Sequence, residues 1–254
     1  MFTVPYNGTP GRERAVALAS LLGVALIAWL YLWWDAARMA SMPMTGSMAM
    51  EAWSPGWLLM TFIMWTIMMV GMMLPSAAPA ILLYGSMVRK NRERGSMLPP
   101  VWLFTAGYLA AWTAFSLAVT PLQAALHDGA LMTPMMVSSS NWLNGALLTA
   151  AGVYQWLPAK EACLGKCRDP LQLFLFRWRP GRAGAFRMGV EHGAFCIGCC
   201  WALMLLLFTA GVMNLLWVAL IAAYVLAEKL LPAGRWTGRI AGVGLIAAGG
   251  AAML

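Results

Sequence analysis

Charge is what this sequence has least of. Only 10% of its 254 residues are Asp, Glu, Lys or Arg, against about 25% in ordinary globular domains, and 61% are apolar. A water-soluble surface cannot be built from that. Histidine is scarce too: His127 and His192 are the only two, and the topology read below puts them on opposite sides of a membrane, which argues against a paired axial haem site. The five cysteines are an odd number in a chain without the form of a small secreted scaffold, so pairing all of them within one chain is excluded. A phosphate-cradling Gly loop, a long internal repeat and a Ser/His/Asp set in triad context are all missing, and most familiar enzyme classes lose their support with them. The chain therefore leans away from an enzyme. Its net charge of +8 lies between apolar blocks and forms no stripe, so no nucleic acid partner is expected.

What is present is a series of apolar runs of the length that crosses bilayer hydrocarbon as helix. They are continuous, which excludes barrel alternation. The expected fold is all-α, a polytopic transmembrane helix bundle of about seven spans in the lipid bilayer. A cytoplasmic segment, residues 1–14, precedes a single transmembrane domain, residues 15–254. The spans are expected at 15–34, 57–88 with a break at Pro75 and Pro79, 101–126, 141–157, 186–213, 215–231 and 236–254. The first run is longer than the apolar region of a signal peptide and no small-x-small cleavage site follows it, so it reads as a retained anchor. With the N-terminus cytoplasmic, Arg38 alone among the 17 Lys and Arg residues falls outside, and the positive-inside rule selects that orientation. Gly238 and Gly242 have the small-xxx-small spacing that lets helices approach closely.

The sharpest constellation is Glu191-His192-Gly193-Ala194-Phe195-Cys196-Ile197-Gly198-Cys199-Cys200, in the cytoplasmic half of the fifth span. At about 100° per residue with His192 at zero, Cys196 falls near 40°, Cys199 near −20° and Cys200 near 80°, so these ligands share one face. Thiolate with imidazole selects Cu(I), Zn(II) or iron-sulfur chemistry. Any one of these cysteines alone would be a small apolar packing residue; three beside His192 and Glu191 inside a membrane point to function. A second pair, Cys163 and Cys167, lies where the fourth span meets the cytoplasm, and the neighbouring Lys160, Lys166 and Arg168 are expected to lower the thiol pKa values.

Methionine is abundant, with 21 residues. Met39, Met42, Met44, Met48 and Met50 crowd the first outer connector, and Met132, Met135 and Met136 the second. Met60, Met64, Met68 and Met72 descend the second span at four-residue intervals, drifting only about 40° per step, so their thioethers form a ladder. Helical methionine stripes are more often plain core, but the outer set lies where packing offers little reason for thioethers. Methionine outside and cysteine inside suits a soft monovalent ion passing toward stronger ligands. Glu228, beside Lys229, suggests either proton coupling or a helix-end pair with Lys229 or Arg239.

Three motifs in order resemble a known family. They are Met68-Met69-x-x-Met72-Met73-Leu74-Pro75-Ser76-Ala77 with Pro79, then Gly152-x-Tyr154-Gln155-x-x-Pro158-x-Lys160-x-x-Cys163-Leu164-x-x-Cys167-Arg168-x-Pro170, then His192-Gly193-x-x-Cys196-x-Gly198-Cys199-Cys200-Trp201-x-Leu203-Met204. Over Trp57 to Lys229 the chain is similar to the bacterial predicted metal-binding integral membrane proteins, a domain of unknown function whose members are sometimes labelled copper chaperones. The resemblance implies a metal-linked role in a bacterial inner membrane. The methionine spacing is also similar, over a short stretch, to eukaryotic three-span copper transporters. The expectation is thus a multi-pass inner-membrane protein that binds or passes Cu(I), as chaperone or transporter, with Zn(II) as the other candidate and a copper-handling protein as partner. The metal ligands expected are Cys196, Cys199, Cys200, His192, Glu191, Cys163, Cys167, Met64, Met68 and Met72. Two alternatives stay open: a membrane thiol-disulfide oxidoreductase, and an assembly subunit of a larger membrane complex.

Overall fold

A computed structural model of the chain describes residues 10–41, 53–95, 97–129, 131, 138–231 and 234–254. Those residues form helices: α1 (Pro10–Ser41), α2 (Pro55–Glu93), α3 (Val101–Asp128), α4 (Asn141–Tyr154), α5 (Pro158–Arg168), α6 (Pro170–Phe176), α7 (Gly181–Leu205), α8 (Leu207–Ala210), α9 (Leu215–Leu230) and α10 (Gly234–Met253). The all-α expectation holds among them. Four helical stretches, Arg14–Met39, Pro55–Glu93, Val101–Asp128 and Gly181–Ala210, are long and apolar enough to cross a membrane. With 14 and 16 residues, α4 and α9 fall short of the roughly 20 that a bilayer normally asks of a helix.

Helix boundaries follow local chemistry. Pro55 begins α2 behind Ser54, whose hydroxyl accepts from the Trp57 amide at 3.4 Å. Ser140 and Asn214 cap α4 and α9 in the same way. Prolines 158 and 170 occupy first-turn positions of α5 and α6, where the missing N–H costs nothing. Gly95, at φ +79°, lies just beyond α2 in the left-handed region that glycine adopts freely.

The expected break at Pro75 and Pro79 does not occur: α2 continues through both for 39 residues. The region is enclosed by other helices, with Leu74, Ala77, Ala80 and Ile81 buried. The Ser76 and Tyr108 hydroxyls both donate to the Met73 carbonyl, at 2.8 and 3.0 Å. Enclosure by packed neighbours of this kind lets membrane helices keep their prolines.

Two tight crossings organise the bundle, and small residues permit both. Between α3 and α7, a Cβ on Gly107 would overlap the Phe186 carbonyl and one on Gly189 the Phe104 carbonyl, while one on Gly193 would come within 2.6 Å of the Ala111 Cβ. Between α4 and α10, Gly145 faces the Gly249 backbone and Gly152 faces that of Gly242, at 2.7 Å from each missing Cβ to the opposing carbonyl oxygen. These are the backbone approaches that small residues allow in lipid. Gly242 thus serves as its spacing suggested, whereas Gly238 closes over the Glu228 carboxylate, 2.8 Å from where its own Cβ would stand.

Candidate functional site

Cys196 is the centre of the site, and α7 holds it there. The bare backbone at Gly189 and Gly193 draws α7 against α3, which brings the Tyr108 hydroxyl to 3.1 Å from Cys196 Sγ. From α9, Lys229 Nζ reaches the same sulfur at 2.9 Å and donates to Ser76 Oγ on α2 at 2.8 Å. The Cys199 and Cys200 thiols both donate to the Cys196 carbonyl at 3.0 Å. Cys167 comes from α5 and is buried in the same core as Cys196, Cys199 and Cys200. Four thiols from two helices therefore share one buried core, each at most 8% exposed.

The expected lowering of the Cys167 pKa is overturned. The Cys196 and Cys199 side chains beside it, reinforced by burial, hold this thiol well above its ordinary range. The basic residues around it were expected to act as near neighbours, but Lys166 lies over the Phe195 ring at 4.5 Å and Arg168 reaches the Leu231 carbonyl.

The remaining expected ligands divide. Cys163 lies against α7 at Gly198, 2.7 Å from where a Cβ there would stand, and is half-buried; no hydrogen bond joins it to the other thiols among the described residues. His192 is buried between the Phe104 and Tyr108 rings, at centroid separations of 5.9 and 5.8 Å, and its Nδ1 has no hydrogen-bond partner. Glu191 turns the other way into an ion pair with Arg177, as its position one residue off the thiol face dictates. Met64, Met68 and Met72 are buried along α2, whereas Met60, the outer member of their row, is 68% exposed. Met42, Met44, Met48, Met50, Met132, Met135 and Met136 lie outside the described residues. Among the described residues, no three His, Cys, Asp or Glu side chains are already arranged to hold a metal ion.

Lys229, Tyr108 and Ser76 were not among the expected site residues, although the sequence contained a signal for two of them. Ser76 continues the four-residue row of Met64, Met68 and Met72, so the row ends, about 18 Å along the helix axis, on a hydroxyl bonded to the lysine that touches Cys196. Lys229 was read with its chain neighbour Glu228, but adjacent residues on a helix face different directions. Glu228 pairs with Lys160 at 2.5 Å, Arg239 pairs with Glu161 at 3.1 Å, and Lys229 turns to the thiols.

As a donor set this is soft, dehydrated and charge-bearing. It offers thiols, a thioether row and an imidazole nitrogen with no partner, which fits a soft cation better than a hard one. No curated protein and no solved structure matches the chain. A family model described as PpoB2, copper chaperone, matches residues 62–252, a stretch that contains α3 to α9 whole, every thiol and the buried methionine row. The chain belongs to this copper chaperone family.

Proposed function

We propose that the protein is a membrane chaperone for Cu(I). The ion is its cargo: collected by methionines, guided along Met64, Met68 and Met72, and held among Cys167, Cys196, Cys199 and Cys200. His192 is a reserve donor and Cys163 the exit thiol toward a copper-handling partner on the cytoplasmic side. The observation that carries this reading is the burial of thiols from α5 and α7 in one core, at the foot of the thioether row where Lys229 joins Cys196 Sγ to Ser76 Oγ. Thioethers bind Cu(I) weakly and thiolates strongly, so ligand exchange runs from methionine to cysteine. The same reading makes the chain one multi-pass unit of a bacterial inner membrane. Its seven passes are α1, α2, α3, α4, α7, α9 and α10, and its N-terminus is cytoplasmic, which places the basic segments inside.

The test is metal content of the purified full chain after loading with Cu(I), and separately with Zn(II), under reducing anaerobic conditions. Wild type is expected to retain copper in stoichiometric amount, and the Cys196→Ser/Cys199→Ser/Cys200→Ser variant to lose it. Equal retention by the two proteins refutes the site.

One contact favours a second reading. A thiol touching a buried ammonium is what a nucleophilic thiolate needs, so a thiol-disulfide oxidoreductase remains the rival. A reversible dithiol/disulfide couple at a defined potential in metal-free protein would support it, and thiols inert to oxidation would dismiss it.

A further inference from the structure

Four carboxylates of the bundle are already matched to cations: Glu228 to Lys160, Glu191 to Arg177, Glu161 to Arg239 and Glu93 to Arg89. Lys229 is different. It is 7% exposed, no carboxylate forms an ion pair with it among the described residues, and its ammonium is spent on Ser76 Oγ and Cys196 Sγ. A lone cation enclosed by helices is costly unless an anion accompanies it. Among the described residues, the group touching Lys229 that can supply negative charge without a carboxylate is the Cys196 thiol.

From this arrangement we infer that Lys229 is the residue that selects a monovalent over a divalent thiophilic ion, a deepening that rests on the thiol site proposed above. The reasoning is charge balance. Binding a metal ion between two thiols releases their protons to solvent and leaves two thiolates on the metal. With a monovalent ion this unit carries one negative charge, which the Lys229 ammonium cancels. With a divalent ion the unit is already neutral, and the same ammonium leaves an unmatched positive charge in a buried site. The contact that stabilises the monovalent complex therefore penalises the divalent one. Size and ligand softness cannot make this distinction, because Ag(I) and Hg(II) are both large, soft and thiophilic.

The test uses those two ions on the full chain in detergent or lipid nanodiscs, with competition against a small-molecule dithiol giving relative affinities. Lys229→Gln keeps hydrogen-bond donors but removes the charge, and Lys229→Arg keeps the charge. Lys229→Gln is expected to move the Ag(I)-over-Hg(II) preference toward Hg(II) on the order of 100-fold, the lower end of what unpairing a buried charge costs. Lys229→Arg is expected to leave the preference nearly unchanged. A merely structural role for Lys229 would weaken both ions together, and that result, or an unchanged ratio, overturns the inference while leaving the thiol site standing. If wild type binds neither ion, the thiol site itself falls, and the inference with it. Should Lys229→Gln not fold, Ser76→Lys/Lys229→Ser moves the cation to α2 across the existing contact. Retention of the monovalent preference there supports the inference, and its loss refutes it.

Discussion

Glu228→Gln is the substitution whose consequence is best defined. Lys160 and Glu228 side chains are 3% and 1% exposed, and Nζ lies 2.5 Å from Oε1. The carboxylate also accepts from the Tyr224 hydroxyl at 3.4 Å, and the ammonium donates to the Gln155 side chain. An amide at 228 preserves the shape and most of these hydrogen bonds but leaves the Lys160 charge buried with no counter-ion. Breaking a buried pair from one side costs about 3–5 kcal/mol, whereas replacing both members with apolar residues is often neutral or stabilising. Glu228→Gln should therefore be strongly destabilised, while Lys160→Met/Glu228→Leu recovers most or all of the loss. The assay is reversible unfolding in mixed micelles with rising denaturing detergent, followed by tryptophan fluorescence, with all variants compared in one double-mutant cycle. A loss under about 1 kcal/mol for Glu228→Gln, the range of an exposed surface pair, would refute the claim that this pair is dehydrated and structural.

Other consequences follow from packing and access. Gly189→Ala puts a methyl group into the Phe104 carbonyl, so α7 must move off α3; a loss of about 3 kcal/mol or more is expected in the same unfolding assay, with weaker metal retention as Tyr108 leaves Cys196. Gly244→Ala, with open space around the added carbon, is the control and should be neutral or stabilising by about 1 kcal/mol through helix propensity. Mass spectrometry after brief maleimide treatment of folded protein should find Cys163 labelled first, because the other four thiols are buried; comparable early labelling of Cys196 would contradict the enclosed core. Trp65→Phe removes the buried 2.6 Å bond from the indole N–H to Gln123 Oε1, and as Gln123 Nε2 already lacks a partner the unfolding free energy should fall by about 1–3 kcal/mol.

The thiol face of α7 was legible because helix periodicity alone puts Cys196, Cys199 and Cys200 on one side; Glu191, drawn in as a ligand by the density of ligand types, instead pairs with Arg177. The methionine row was legible for the same reason, as was a close approach by Gly242. The proline break was misread because the cost of a proline depends on what surrounds the helix, and a run of sequence does not contain its neighbours. The pKa expectation for Cys167 failed likewise: adjacency along the chain placed basic side chains beside the thiol, but in space they point at an aromatic ring and a carbonyl.

The sequence by itself determined an all-helical, lipid-compatible chain and a soft-ligand content, because composition and period need no knowledge of partners. Only the tertiary structure decided which helices meet. Glycines at 107, 189 and 193 join α3 to α7 and bring Tyr108 to Cys196, Gly198 admits Cys163 from α5, and α9 delivers Lys229 to the thiols while Lys160 takes Glu228. These are contacts between residues 33 to 88 positions apart in the chain. Burial and charge balance select them only once the whole bundle is assembled, and no local pattern carries that information.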